Sequence, residues 1–125
     1  MAQPPQSQRI LIVEDELLIA MLLESMVGDI GYQVVATVGR EKDAVDTIQG
    51  GAVDLAILDV NLGGGRSYGI ADALVDRNIP FVFLTGYGEG ALEEPYRGRP
   101  ILRKPFRKDE LEQALANISA SIMPQ

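Results

Sequence analysis

The sequence predicts an α/β fold in which helices cover both faces of a parallel sheet of five strands. Short apolar runs alternate with segments of helical period along most of the 125-residue chain. These runs do not alternate with polar residues, which is typical of strands that are buried on both faces. Regular alternation of such strands with helices indicates a parallel sheet, because each helix returns the chain to the same edge.

The strands are predicted where β-branched and other apolar residues follow one another in short runs. The first run ends abruptly at three acidic residues, and the third ends at Asp59. Segment 61–65 follows the third run and contains three consecutive glycines, so we expect a flexible loop there. The predicted strands are Arg9–Val13, Gln33–Val38, 53–58, 81–84 and 101–102.

Helices are predicted where apolar residues recur at spacings of three and four. The first helix is expected to end at Gly31 and the second at Gly50, since glycine commonly follows a helix. Segment 88–98 contains three glycines and Pro95, so at most a short helix is expected there, which makes about five helices in all. The apolar residues of the other four are Leu17, Leu18, Met21, Leu22, Met26 and Ile30; Ala44, Val45 and Ile48; Ile70, Ala71, Leu74 and Val75; and Leu111, Ala114, Leu115 and Ile118.

Composition excludes several classes of function. The chain has no cysteine and no histidine, so disulfides, thiolate metal sites and histidine-based catalysis are ruled out. A net charge of −7 disfavours direct binding to DNA or to an anionic membrane. Residues 1–8 lack the features of a signal peptide, and we expect them to form a flexible tail. One domain over residues 9–122 is expected, as a cytoplasmic monomer or weak dimer.

Chemically active side chains follow four of the five predicted strands. Glu14 and Asp15 follow the first strand, Asp59 the third, Thr85 the fourth and Lys104 the fifth. In an open parallel sheet, ligands bind beyond the carboxyl ends of the strands. The sequence therefore predicts that three carboxylates, a hydroxyl and an ammonium group converge at one edge.

Three adjacent carboxylates repel one another unless a cation joins them. Oxygen ligands without histidine or cysteine favour Mg²⁺, which takes few carboxylates and retains several waters. A phosphoryl group at this site would be held by Lys104 and Thr85. Asp59 would then be the nucleophile that becomes an aspartyl phosphate.

These residues stand in blocks that resemble the signature of response-regulator receiver domains, in the same order and from about residue 9 to residue 118. The resemblance implies a flavodoxin-like, doubly wound sheet of strand order 2-1-3-4-5. It also implies that Asp59 accepts phosphate from a sensor kinase histidine, while Thr85 and Lys104 hold the phosphoryl oxygens. Glu14 and Asp15, with the backbone carbonyl of Asn61, would hold Mg²⁺. The blocks are Val13-Glu14-Asp15-Glu16, Leu58-Asp59, Leu84-Thr85-Gly86 and Lys104-Pro105-Phe106.

Segment 80–87 resembles the Phe-Ala-Thr-Gly-Tyr block of a group of stand-alone regulators, the FAT GUY group, with Leu84 in place of alanine. Two departures from the wider family stand out. Many receivers carry a switch aromatic three residues before the lysine, where this chain has Ile101, so we regard Tyr87 as a candidate substitute. Glu14 occupies a position where aspartate is commoner, and its longer side chain can still reach a metal.

The resemblance implies that phosphorylation repacks a face formed by the fourth helix, the fifth strand and the fifth helix. A downstream protein would bind this face, or the domain would act as a phosphate sink for a sensor kinase or phosphotransfer protein. The alternatives are a small Mg²⁺-dependent phosphohydrolase that uses Asp59 and a flavin- or nucleotide-binding module. The isomer of the Lys104–Pro105 bond stays open.

Simpler structural roles are also possible for the same residues. Asp59 could cap a helix or form a turn at the end of its strand. Glu14 and Asp15 could be acids of the first helical turn, placed to suit the helix dipole. Thr85 could cap the following helix.

Overall fold

Strands and helices alternate along the chain as the apolar periodicity predicts. The protein is described here by a computed structural model, which covers residues 8–86 and 92–120. Over these residues the elements are β1 (Arg9–Val13), α1 (Leu17–Ile30), β2 (Gln33–Val38), α2 (Glu41–Gln49), β3 (Leu55–Asp59), β4 (Asn61–Leu62), β5 (Gly65–Arg66), α3 (Tyr68–Asp76), β6 (Phe81–Thr85), β7 (Ile101–Arg103) and α4 (Lys108–Ala120).

The main sheet has five strands in the order β2-β1-β3-β6-β7. Every pairing between neighbours is parallel, so the predicted topology is confirmed. The strand boundaries differ slightly from the predicted ones. β3 begins at Leu55 rather than at residue 53, and β6 and β7 each extend one residue further, to Thr85 and Arg103.

Both faces of the sheet are buried, as the continuously apolar runs predict. Successive strand side chains point to opposite faces. On one face, Leu58 and Phe83 pack in a cluster with residues of α2 and α3. On the other face, Ile57 and Leu84 pack in a second cluster with residues of α1 and α4. The core is therefore two apolar layers separated by the sheet.

Helix α1 ends where predicted, but its buried face is narrower than the apolar pattern indicates. Gly31 has φ +121°, and its N–H donates to the carbonyls of Val27 and Gly28, which ends the helix. The sheet side of α1 is formed by Ala20, Leu23 and Val27. Four residues of the predicted apolar stripe are instead exposed: Leu17 (72%), Leu18 (79%), Met21 (55%) and Leu22 (46%).

The prediction of a loop after β3 is wrong, because β4 and β5 form a two-stranded antiparallel hairpin there. Gly63 and Gly64 are its two turn residues and have φ +57° and +88°. Positive φ at both central residues defines the type I′ turn, whose twist matches that of the flanking strands. Glycine adopts this conformation without a steric penalty, so the glycines here specify a turn rather than flexibility.

The helix predicted within residues 88–98 is wrong for its described part, since residues 92–100 form only turns and bends. The buried Tyr96 ring stacks on Tyr68 at 5.4 Å, and its hydroxyl donates to Asp72. The Glu93 N–H donates to the Tyr68 hydroxyl at 2.8 Å. Side-chain contacts with α3 thus hold this segment, and residues 8–86 and 92–120 contain four helices rather than about five.

The last helix agrees with the sequence pattern. Leu111, Leu115 and Ile118 are buried against the sheet, whereas Glu112 and Gln113 are exposed. Across the described residues, no helix combines the length and apolarity that a bilayer crossing requires.

The contrast between the two faces of α1 gives a test of the packing. Leu23→Ala should lower the free energy of unfolding by about 2–5 kcal/mol, because Leu23 is fully buried. Leu18→Ala is the matched control, because Leu18 is 79% exposed, and it should change the free energy by less than about 0.5 kcal/mol. Urea denaturation measures both values. Equal losses in the two variants would show that α1 packs in another orientation.

Candidate functional site

The carboxyl ends of the five strands are aligned by strand pairing and by backbone hydrogen bonds just beyond it. The Glu14 N–H donates to the Val38 carbonyl at 2.9 Å, just beyond the paired strands β1 and β2. The Lys104 N–H donates to the Thr85 carbonyl at 2.7 Å, which continues the pairing of β6 with β7. Asp59 is paired in register with residue 84. The sheet itself therefore brings the predicted site residues to one edge.

Three carboxylates meet at this edge as predicted. Glu14, Asp15 and Asp59 each contribute an oxygen, and these oxygens lie within 4.8 Å of one another. Glu14 and Asp59 are both only 3% exposed, whereas Asp15 is exposed. Such close negative charges are favourable only with a compensating cation.

Backbone N–H groups orient the three carboxylates. The Asn61 N–H donates to Asp59 Oδ1 at 3.1 Å, which is a turn-type bond across two residues. The Gly63 N–H donates to Asp15 Oδ2 at 2.9 Å and thereby ties the hairpin to the end of β1. Glu14 Oε2 accepts a bond of 3.0 Å from the N–H two residues later. Each of the three carboxylates is therefore oriented by a backbone N–H group, two of them locally and Asp15 through the hairpin.

Burial raises the pKa of the Glu14 carboxyl to about 7. The charge of Asp59 adds to the rise, whereas the Glu16 N–H and the Lys104 ammonium oppose it. Removal from water and repulsion by the neighbouring carboxylate are separate effects, and both disfavour the charged form of Glu14.

Lys104 is the cation that faces this cluster. Its Nζ lies 3.6 Å from Asp59 Oδ2 and 3.7 Å from Glu14 Oε1. The same Nζ lies 3.7 Å from Oε1 of Glu16, an exposed acid. The peptide bond between Lys104 and Pro105 is cis. One ammonium group thus contacts three carboxylates, which leaves the site with excess negative charge.

Two buried oxygens at the site have no hydrogen-bond partner among residues 8–86 and 92–120. They are Glu14 Oε1 and Thr85 Oγ1. A buried polar atom without a partner is unfavourable unless a bound group supplies one. The donor set fits a hard divalent cation at the carboxylates, since every available ligand is an oxygen. The Thr85 hydroxyl fits an oxyanion next to that cation.

Two of the simpler roles for the site acids are wrong. Asp59 does not cap a helix, because the cap residue of the next helix, α3, is Ser67. Glu14 and Asp15 do not lie in the first turn of α1, which contains no acidic residue. Asp59 does form a turn, because its carboxylate accepts the hydrogen bond from the Asn61 N–H.

Of the two predicted switch residues outside the cluster, the structure describes Ile101 but not Tyr87. Ile101 lies on β7, is 43% exposed and pairs in register with Phe83. It therefore lies on the surface of an edge strand of the sheet and not within the carboxylate cluster. Tyr87 lies outside the described residues, and its role stays a prediction.

Supporting residues at the site were not identified from the sequence. The buried Ser67 hydroxyl donates to the Asp59 carbonyl at 2.6 Å. A Cβ at Gly39 would lie 3.2 Å from the Asp15 Cα, so glycine permits close approach there. Gly39 directly follows a predicted strand, so its place near the site could have been inferred from the sequence. The Ser67 contact could not, because it depends on the hairpin. Glu16, noted only as one of three acids, contacts Lys104 directly.

The chain resembles known regulators in sequence and structure. The response regulator receiver domain family matches residues 10–116. The transcriptional regulatory protein PdtaR of Mycobacterium tuberculosis is 33% identical over 112 residues, which is 86% of this chain. The phyllosphere-induced regulator PhyR of Methylorubrum extorquens is 34% identical over 118 residues, or 90% of this chain.

These two relatives are longer proteins, since the chain spans 55% of PdtaR and 41% of PhyR. A solved structure of SdrG from Sphingomonas melonis Fr1 is similar over nearly its whole length. The TM-score is 0.81 at 45% sequence identity, with 90% of this chain and 96% of that chain covered.

The raised pKa of Glu14 predicts a pH dependence of stability without divalent cations. Between pH 4.5 and about 7 the folded protein retains a proton on Glu14 that the unfolded chain has released. The folded state then binds more protons, so its stability falls as pH rises through this window. Urea denaturation in chelator should show this fall in wild type but a smaller one in Glu14→Gln.

Glu112→Gln is the control, because Glu112 is an exposed glutamate on α4. It should leave the wild-type pH profile unchanged. Parallel profiles for wild type and Glu14→Gln would contradict the assignment of the raised pKa to Glu14.

Proposed function

The chain belongs to the response regulator receiver domain family, and from this membership we propose that Asp59 accepts a phosphoryl group and thereby switches protein–protein interactions. The observation that carries this proposal is the cluster of Glu14, Asp15 and Asp59 faced by Lys104. Two-component signalling through a sensor histidine kinase or a phosphotransfer protein is the setting that the family implies.

The carboxylates support a role for Mg²⁺. Glu14, Asp15 and Asp59 would hold the ion, together with the backbone carbonyl of Asn61. Bound there, Mg²⁺ would offset the negative charge of the cluster and of the incoming phosphoryl oxygens. Glu14 Oε1 adds support, because it is buried without a hydrogen bond and a divalent cation would approach it more closely than the Lys104 ammonium, which lies 3.7 Å away.

The remaining residues support in-line transfer to Asp59. A carboxylate oxygen of Asp59 would form the new P–O bond while the bond from phosphorus to the donor breaks. The donor, a histidine nitrogen or the acetate of acetyl phosphate, leaves with the bonding electron pair. Lys104 and the Thr85 hydroxyl would stabilise charge on the equatorial oxygens. The product is an acyl phosphate, and no cofactor is consumed.

Two alternatives are less favoured. Aspartyl-phosphate phosphohydrolases place a second acid two residues after the nucleophile, where this chain has the amide of Asn61. A flavin or nucleotide module would need to place phosphate at the edge occupied by the carboxylate cluster, which repels it. The receiver function uses the carboxylates directly.

The exposed apolar residues of α1 support docking of the phosphodonor next to Asp59. Asp59 is only 3% exposed, so a donor must approach closely over the surrounding surface. Helix α1 begins three residues after Glu14 and presents Leu17, Leu18 and Met21 to solvent. Contiguous exposed apolar groups commonly mark protein–protein contacts.

The partner face differs from the one expected, because no helix forms in residues 92–100. We place output on β7 and α4 together with the segment that Tyr96 anchors. Thr85 and Lys104 adjoin this face through their backbone bond, so movement toward a phosphoryl group would reach it. Phosphate-sink behaviour is compatible with the same site.

Action as a receiver domain by itself is part of the proposal and is supported by the match to SdrG, which covers 96% of that chain. A cytoplasmic location would follow from pairing with a sensor kinase. Direct DNA binding is not proposed, because the net charge of −7 opposes it.

Acetyl phosphate with Mg²⁺ should add one phosphoryl group to the wild-type protein, as read by intact mass. Asp59→Asn should gain none, because an amide cannot form the acyl phosphate. A chelator should abolish the gain in wild type.

Asp76→Asn is the matched control, since Asp76 is an exposed aspartate on α3. It should be phosphorylated like wild type. Equal gains in Asp59→Asn and wild type would refute the assignment of Asp59.

A further inference from the structure

A second polar pocket lies beside the carboxylate cluster, between the hairpin and the N-terminal ends of α2 and α3. Its volume is about 240 Å³, and its charged lining residues are Arg40, Glu41 and Arg66. None of the three clustered carboxylates lines it. The pocket adjoins the carboxylate site through Gly39 and Arg40, which also line the cleft beside Glu14 and Asp15. The hairpin joins the two sites as well, because the Gly63 N–H contacts Asp15.

Arg66 is the unusual residue of this pocket. Its Nη1 is buried and has no hydrogen-bond partner in the described part of the chain. The guanidinium carbon lies 6.0 Å from the centre of the Tyr68 ring, a weak cation–π contact. Among the described residues, no carboxylate comes within 4.0 Å of it. The Arg66 side chain as a whole is half-buried, but its buried Nη1 donor lacks an acceptor, which an anionic partner would supply.

The backbone around the pocket adds positive potential to that of the arginines. Helix α2 follows Arg40 and helix α3 follows Ser67, and neither start has a side-chain cap among the described residues. The Ser67 hydroxyl instead donates to the Asp59 carbonyl. The helix dipoles of two nine-residue helices therefore add to the attraction of the arginines for an anion, and Glu41 and Asp43 in the first turn of α2 oppose it.

Glu41 is the acid that lines this pocket. Its Oε2 packs on Gly69, where an added Cβ would lie only 2.5 Å from that oxygen. The Glu41 carboxylate therefore reaches from the start of α2 to the start of α3. Among the described residues it makes no ion pair with either arginine within 4.0 Å. Two guanidinium groups against one carboxylate leave a net positive pocket on a protein of net charge −7.

We propose that Arg66 and Arg40 bind a small phosphate-type oxyanion, as inorganic phosphate or as the phosphate group of a small monoester. The guanidinium fork matches the oxygens of such a group, and two arginines suit a dianion. The volume leaves room for a few carbon atoms beyond the phosphate itself. This site does not depend on phosphorylation of Asp59 and would be occupied without a divalent cation.

Calorimetric titration with inorganic phosphate, in chelator, tests the proposal, and glycerol 3-phosphate is the monoester probe. Arg66→Gln should weaken binding by about 10- to 100-fold, as expected for loss of a charge-assisted hydrogen bond. Arg40→Gln removes an exposed side chain, so it should weaken binding while the fold stays intact. Glu41→Gln should strengthen binding, because it removes the competing carboxylate.

Two controls separate this pocket from other basic groups. Arg77→Gln should bind like wild type, since Arg77 contacts Gln49 at the far end of α3. Lys104→Gln should also bind like wild type. Loss of binding in Lys104→Gln with retention in Arg66→Gln would place phosphate at the carboxylate site and overturn the proposal. Absence of saturable binding of either probe to the wild-type protein would overturn it as well.

Discussion

Repulsion among the carboxylates of Glu14, Asp15 and Asp59 is the constraint on which the rest of the structure depends. Their oxygens lie within 4.8 Å of one another at the carboxyl edge of a parallel sheet, and two of the three side chains are almost fully buried. Lys104 contacts two of them at 3.6–3.7 Å but supplies only one positive charge. A site of this kind gains stability from a cation, and then from the anion that the cation and Lys104 attract.

The fold maintains this unfavourable arrangement by fixing the backbone around it. Both faces of the sheet are packed, so the strand ends cannot separate without exposing apolar side chains. The type I′ turn at Gly63 and Gly64 carries an N–H to Asp15, and Ser67 ties the hairpin to the Asp59 carbonyl. The same hairpin bears Arg66, so one short element lines both the carboxylate site and the proposed oxyanion pocket.

Sequence patterns predict the sheet, its strand order and the convergence of the site residues, because these follow from apolar periodicity and the geometry of parallel strands. They fail where side-chain contacts between distant segments decide. The non-helical path of residues 92–100 depends on Tyr96 meeting Tyr68 and Asp72 on α3. The buried face of α1 is likewise set by packing on the sheet, since Leu22 and Leu23 are equally apolar but only Leu23 is buried. The glycine-rich hairpin was predictable in principle from its two-residue turn.

Identification of the residue that carries the phosphoryl group tests the central claim most directly. Protein treated with acetyl phosphate and Mg²⁺ is reduced with borohydride, which converts an acyl phosphate to the alcohol, and its peptides are then sequenced by mass spectrometry. The account predicts homoserine at position 59 and at no other aspartate. Reduction at Asp15 or Glu14, or an acid-stable phosphate on Thr85, would contradict it.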